Sequence, residues 1–336
     1  QALTALSVTG DLTVTGDIVS NTAGTSNFRA GVNAGDAIAS GGNYNTVVGD
    51  EAGTAITTGD NNVAVGFEAL KTEDTGQNNV AIGYRAMNVA NYDGAGNNVA
   101  IGADAGLSMT TGIFNTFVGA FAGDAHTEGY NNVAIGTNAL GADVSSRATV
   151  AIGAAALSSQ NMTNTDAYNV AIGFGAGADL TDGERNILIG GLAGDEITDA
   201  DDVIAIGYRA CGGNAGSATT GHDNICLGTD AGEALTSGNK NCFMGKGAGN
   251  VYTTGYQNIC IGHGSDGSAA DRYLEYVIGV DCISAGYDGL ITIGVSNGSD
   301  RIYNNFKSNA TWTRVSDERY KKDITDNTDC GLDFIN

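Results

Sequence analysis

The chain has 336 residues, of which 52 are glycine and none proline, with 7% aromatics and a formal net charge of -23. Such a composition excludes an ordinary globular core and describes repetitive β structure, while the acidic excess opposes binding to nucleic acid or to an anionic membrane. No run approaches the ~18 apolar residues of a membrane span, and Gln1 opens neither a signal peptide nor a methionine start, so the chain is expected to be a fragment of something longer.

Residues 1–20 repeat with a six-residue step, Leu6-Ser7-Val8-Thr9-Gly10-Asp11 and then Leu12-Thr13-Val14-Thr15-Gly16-Asp17. Alternating apolar residues punctuated by Gly-Asp turns suit short strands, which one chain cannot bury alone. The segment resembles the slender triple-stranded shafts of phage tail fibres. Residues 21–42, rich in Gly, Asn, Ala and Ser, read as a transition.

Residues 43–266 carry a second repeat, typified by Asn131-Asn132-Val133-Ala134-Ile135-Gly136. Its closing glycine returns from Gly49 to Gly262, mostly at 17-residue steps, with weaker echoes at Gly279 and Gly294. Three steps are longer, by two (Gly83 to Gly102), three (Gly153 to Gly173) and four (Gly207 to Gly228), which loops tolerate and cores do not. Periodicity of this kind predicts a solenoid.

The residue before each glycine and the one two places earlier share a strand face and are apolar, as in Val63 and Val65. The intervening residue (Ala64, Ala81, Phe117, Leu188) points the other way and is apolar too. A strand dry on both faces needs two cores, and the lumen supplies one, so association of identical chains is expected to supply the other. Ala52, Ala69 and their equivalents, three places after each glycine, predict a close backbone approach inside the coil or at a chain interface. The asparagine before each apolar trio (Asn45, Asn62, Asn79, Asn132) predicts a ladder of stacked amides satisfying the turn backbone. The pattern N-[NST]-V-A-[IV]-G-x-x-A resembles the head repeats of trimeric autotransporter adhesins, and the resemblance implies a left-handed parallel β-roll associating as a homotrimer.

Between 267 and 315 the period decays, aromatics rise, and strands over Tyr276 to Val280 and Leu290 to Val295 predict a β segment covering the last coil. Residues 316–336 open with Ser316-Asp317-Glu318-Arg319-Tyr320-Lys321-Lys322-Asp323-Ile324. This closely resembles the start of the S74 self-cleaving intramolecular chaperone of phage tailspikes and fibres. The resemblance implies Ser316 as nucleophile, Lys321 as its activating partner, and a scissile bond between Ser316 and Asp317. Only 20 residues follow Ser316, too few for that domain, so cleavage is expected only of a full-length precursor. Read as local structure, the same Ser-Asp-Glu-Arg is a helix N-cap with an acidic first turn.

Other chemistry is thin. His126, His222 and His263 are isolated, without metal-ligand spacing, and Gly173 to Gly177 mimics a phosphate loop but precedes no helix. Neither a metal nor a cofactor is expected. Threonine reads as keeping no constant coil position, which excludes a flat ice-binding array, and Asp199 to Asp202 reads as a solvated turn. Cys226 and Cys260 lie two coils apart, roughly 9 to 10 Å, too far for a bridge, and with Cys242 between them they read as small buried hydrophobes. The longer coils are expected to bulge outward at 87–96, 157–168 and 211–223, placing Tyr92 and Tyr168, with Asn91, Asp93, Asn164 and Asp166 beside them, as candidate receptor-binding residues.

The fold class expected is all-β: a homotrimeric parallel β-solenoid, or β-roll, with an N-terminal triple-stranded β shaft and a C-terminal β cap. The resemblances imply a structural and receptor-binding fibre at a virion tail or other extracellular site, a phage tail fibre mediating host attachment. Its partners would be two identical chains, a host-surface glycan or protein receptor, and a virion attachment protein, with no nucleic acid and no membrane insertion. A bacterial surface or injection-system adhesin is the alternative. A glycan depolymerase spike ranks below both, because paired carboxylates ~5 to 9.5 Å apart need a groove, and the solenoid has short loops and no tryptophan.

Overall fold

The computed structural model describes residues 23–213, 218–296, 300–307 and the backbone of 313–314. The described residues are all-β, a parallel β-solenoid without a helix, and they fall into two compact units, Gln1–Asn132 and Val133–Asn336. In the first unit, β1 (Phe28–Ala30), β2 (Thr46–Val48), β3 (Val63–Val65), β4 (Val80–Ile82), β5 (Val99–Ile101) and β6 (Thr116–Val118) pair in sequence order, parallel and in register. The two extra residues between β4 and β5 leave the register intact, Ala81 facing Ala100, because they are absorbed outside the strands.

In the second unit the same stacking runs through β7 (Val133–Ile135), β8 (Val150–Ile152), β9 (Val170–Ile172), β10 (Ile187–Ile189), β11 (Ile204–Ile206), β12 (Ile225–Leu227), β13 (Cys242–Met244), β14 (Ile259–Ile261), β15 (Tyr276–Val280) and β16 (Leu290–Val295). The weak echoes at Gly279 and Gly294 are therefore true repeats, paired with each other. Among the described strands only β17 (Arg301–Asn305) and β18 (Thr313–Arg314) turn antiparallel.

Each repeat is a coil one strand wide. The middle residue of a strand faces the lumen and is fully buried, while its two neighbours point outward and stay partly exposed. The alanine three places after the glycine lies inside the coil rather than at an interface. Where a phenylalanine enters the lumen the coil makes room with glycine: a Cβ on Gly123 would meet the Phe117 ring at 2.8 Å, and one on Gly249 the Phe243 ring at 2.5 Å. The strand-ending glycines have φ near +130°, as at Gly66 (129°), and a Cβ there would strike the carbonyl of the glycine one coil on. No side chain fits that position.

The corner before each strand is closed by the asparagine ladder. Asn62 Oδ1 accepts the backbone N–H of Asn79 (3.0 Å), and its Nδ2 donates to the carbonyl of Gly76 (2.8 Å). Asn115 does the same for Asn132 N–H (3.0 Å) and Gly129 (2.9 Å), and Asn241 for Asn258 N–H (3.0 Å) and Gly255 (2.9 Å). These asparagines are buried, so each amide satisfies one donor and one acceptor that water cannot reach. Where the ladder residue is Thr149, Gln160 reaches in from the next coil, donating to Thr149 Oγ1 (3.3 Å) and accepting from Asn169 Nδ2 (2.9 Å).

Two expectations need correction. Of the stretch 21–42, the described residues 23–42 are not merely a transition, since Asn27, Gly31 and Ala34 occupy the ladder, strand-end and lumen positions of a coil whose β1 pairs with β2. The repeat pattern is broken there because Arg29 takes the usual lumen alanine's place, its Nη1 donating to the Gly35 carbonyl (2.8 Å). Threonine does recur at one coil position, eight places after the glycine, although Asp74, Asn91, Val144 and Asn161 take it in other coils: the hydroxyls of Thr57, Thr110, Thr181 and Thr236 each donate to the backbone carbonyl at the same position one coil on. Those hydroxyls are committed to the stack.

Asn62→Ala should lower the urea midpoint in proportion to two orphaned buried groups, about 1–3 kcal/mol each. The neighbouring exposed Asn61→Gly, which tolerates the left-handed corner (φ 59°), should cost far less, and equal effects would show that the ladder does not bear the coil corner.

Candidate functional site

Two features could do work at a surface: the outward strand face and the longer coils. In each unit the outward residues form two parallel columns of Val and Ile on successive strands. Ile101 in the first unit (37% exposed) and Ile135 and Ile206 in the second (39% and 40%) typify them. Aromatic side chains border the columns, among them the stacked pair Phe67 and Tyr84, with ring centroids 5.8 Å apart, and Phe114, Phe174 and Tyr208. Contiguous exposed apolar surface of this kind marks an interaction face.

The longer coils do not all bulge as expected. Tyr92 is buried, with its hydroxyl 3.4 Å from Asn98 Nδ2, so it cannot offer its ring to a receptor. The insertion turns Ala90 and Tyr92 into the lumen, where they take the space that a larger aliphatic residue such as Ile56 or Met109 fills in regular coils. Glu73 lies in the same lumen, accepting the Gly76 N–H (2.6 Å), and burial pushes its carboxyl up. Tyr168 is exposed as expected, and stands beside Asp166 and Asn164. The Arg147 guanidinium of the preceding coil approaches both, a contact that the sequence reading missed although Arg147 occupies the position directly below Asp166 in the repeat.

In the third long coil the structure overturns the cysteine reading. Cys211 and Cys226 form a disulfide, their Cα atoms 5.9 Å apart. The distance argument compared strand cysteines only with one another, whereas Cys211 comes from the loop of the preceding coil and reaches the lumen side of β12. Cys242, Cys260 and Cys282 are free thiols, each pushed up by burial. Ser316, Asp317 and Lys321 lie outside the described residues.

His126 is buried, 3.2 Å from Asn132 through Nε2 and edge-on to Phe117. His222 Nδ1 accepts the Asp201 N–H (2.9 Å), and His263 Nδ1 lies 3.1 Å from Asp281. The acidic turn at 199–202 is paired as well as solvated: Arg185 donates through Nε and Nη2 to the two oxygens of Asp202 (2.8 and 2.9 Å), holding that carboxyl below its usual range. Among the described residues no group of three or more His, Cys, Asp or Glu is placed to hold a metal ion, and no helix is long and apolar enough to cross a membrane. Comparison with family models, with curated proteins and with solved structures finds no match.

Two carboxyls titrate unusually. Burial, opposed by backbone N–H groups, pushes Asp195 and Asp266 up to about 6 from 3.8. Between those values the folded chain holds protons that the unfolded chain releases, so their contribution makes stability rise as pH falls through this window and decline as pH rises through it. Asp195→Asn and Asp266→Asn are each expected to raise the denaturant midpoint at pH 7.5 and to flatten its slope between pH 4 and 6, in a titration of midpoint against pH. A second check is chemical. Alkylation of the unreduced, denatured chain should label Cys242, Cys260 and Cys282, with Cys211 and Cys226 labelled only after reduction, as read by peptide mass spectrometry.

Proposed function

We propose that this chain is a structural and receptor-binding fibre protein that works as a homotrimer, the part it plays in a phage tail fibre that attaches to a host surface. The observation that carries the reading is the exposed double column of Val and Ile on the outward strand face of both units. Parallel strands are stable when both faces are covered, and here the lumen covers one. A second copy presents the same coil pitch and side-chain spacing, so its columns match along the stack, whereas an unrelated globular partner would match only locally.

The other features fit this assignment. Lumen side chains and ladder amides are consumed within the chain, leaving a stiff scaffold whose variable parts are outward loops. The resemblance of residues 316–336 to an S74 chaperone supplies an assembly route for a long precursor, with Ser316 and Lys321 in the cleavage roles.

Sedimentation of the assembled full chain should give three times the 33.9 kDa chain mass. Ile135→Asp combined with Ile172→Asp should shift the protein to single copies while leaving its β circular dichroism unchanged, since both side chains point outward. A wild-type chain that sediments as one copy would remove the basis of the reading.

A further inference from the structure

We propose that the loop ending in Tyr168 is a binding site for a neutral pyranose sugar of the host surface. The proposal rests on the receptor-binding reading and names the ligand class and the residues. Tyr168 is 57% exposed, its ring held on the corner just before the buried ladder residue Asn169. Its backbone there is left-handed, with φ of 50°, as at the residues before other ladder positions (Asn61 59°, Asn131 60°), so Tyr168 stands at the regular corner of the coil.

The polar partners are equally fixed. Arg147 N–H donates to the Thr165 carbonyl (2.9 Å) and the Ala167 N–H donates to the Arg147 carbonyl (3.0 Å), pinning the loop to the coil below on both sides of Asp166. The Asn164 N–H is held by Ser145 Oγ (3.0 Å). On this frame the Asp166 carboxylate spreads between Arg147 Nη1, 3.8 Å from one oxygen, and the Tyr168 hydroxyl, which donates to the other over 3.4 Å. Arg147 Nη2 also donates to Asn164 Oδ1 (3.3 Å).

These groups supply what a sugar ring needs. The Tyr168 face accepts its apolar C–H surface, and the long Tyr168–Asp166 hydrogen bond is readily exchanged for a sugar hydroxyl, because an exposed carboxylate keeps spare acceptor capacity. Asn164 adds an amide donor, and a carboxylate with an amide can grip two adjacent hydroxyls. Arg147 and Asp166 balance each other locally, and the chain carries -23, which disfavours sugars bearing carboxylate or sulfate. The site is open rather than enclosed, so a single contact is weak and a multivalent fibre supplies the avidity.

The test uses the full chain on an array of neutral hexose and deoxyhexose oligosaccharides, followed by titration of the best-bound glycan. Binding to at least one neutral glycan is expected, weakened roughly fivefold or more by Tyr168→Ala and by Asp166→Asn. Tyr168→Phe should retain most of it, because the ring face remains. Sedimentation should be the same for all three variants. No binding to any neutral glycan, or binding insensitive to both Tyr168→Ala and Asp166→Asn, overturns the proposal. So does a loss of assembly in Tyr168→Ala, which would make the ring part of the subunit contact. The fibre reading fails on a separate readout: a wild-type chain that is single-copy and does not adhere to whole cells. A multimer that adheres to cells but ignores these substitutions condemns the sugar site alone.

Discussion

A strand of three residues cannot hold itself in place, and in most of the described coils it is held by the hydrogen bond that links one buried asparagine side chain to the next coil's backbone. The corner before each strand turns backbone N–H and C=O groups toward the lumen, out of reach of water. Asparagine is the shortest side chain that carries an acceptor and a donor on separate atoms, able to face two directions at once, and Asn62 uses both, on Asn79 and on Gly76. Val203 shows the dependence by contrast: its N–H is still accepted by Asn186 Oδ1 (2.9 Å), but valine passes nothing onward. At the far end Glu275 takes the ladder position, and its carboxylate is satisfied by the hydroxyls of Tyr252, Ser268 and Ser284.

That constraint also sets what the strands can carry. The lumen is narrow, so its strand residue is mostly alanine, and a phenylalanine there is matched by glycine opposite. The outer face has no such limit and takes β-branched residues that suit a pleated surface. Within the strands small residues face in and larger ones face out, while the large buried side chains, such as Ile56, Leu140 and Leu180, come from the loop positions of the coil. The outward Val and Ile are the larger aliphatic residues of the strands, and the fibre proposal rests on that asymmetry.

Variation is confined to the loops, and the three longer coils use their extra residues in three ways. One folds them inward, where Tyr92 fills the lumen. Another displays Tyr168 at the regular corner with Asp166 and Asn164 beside it, braced against Arg147. The third tethers its loop to the next coil through Cys211 and Cys226. Insertion length alone does not distinguish these outcomes, because the direction of each side chain depends on whether a cavity is available beneath it.

Much of this was legible in the sequence. A 17-residue period, the apolar trio, the strand-end glycine and the ladder asparagine determined a parallel β-solenoid with two apolar strand faces, because each position has one physical task that few residue types can perform. Tertiary structure alone decided which face became the lumen, since alanine and valine are both apolar and only the coil's width separates them. It alone decided that Tyr92 goes in while Tyr168 stays out, that the stretch around Arg29 is already a coil, and that Cys211 meets Cys226. Those outcomes turn on distances between residues of adjacent coils, and a repeat pattern states which residues stack but not how far a loop side chain reaches across the stack.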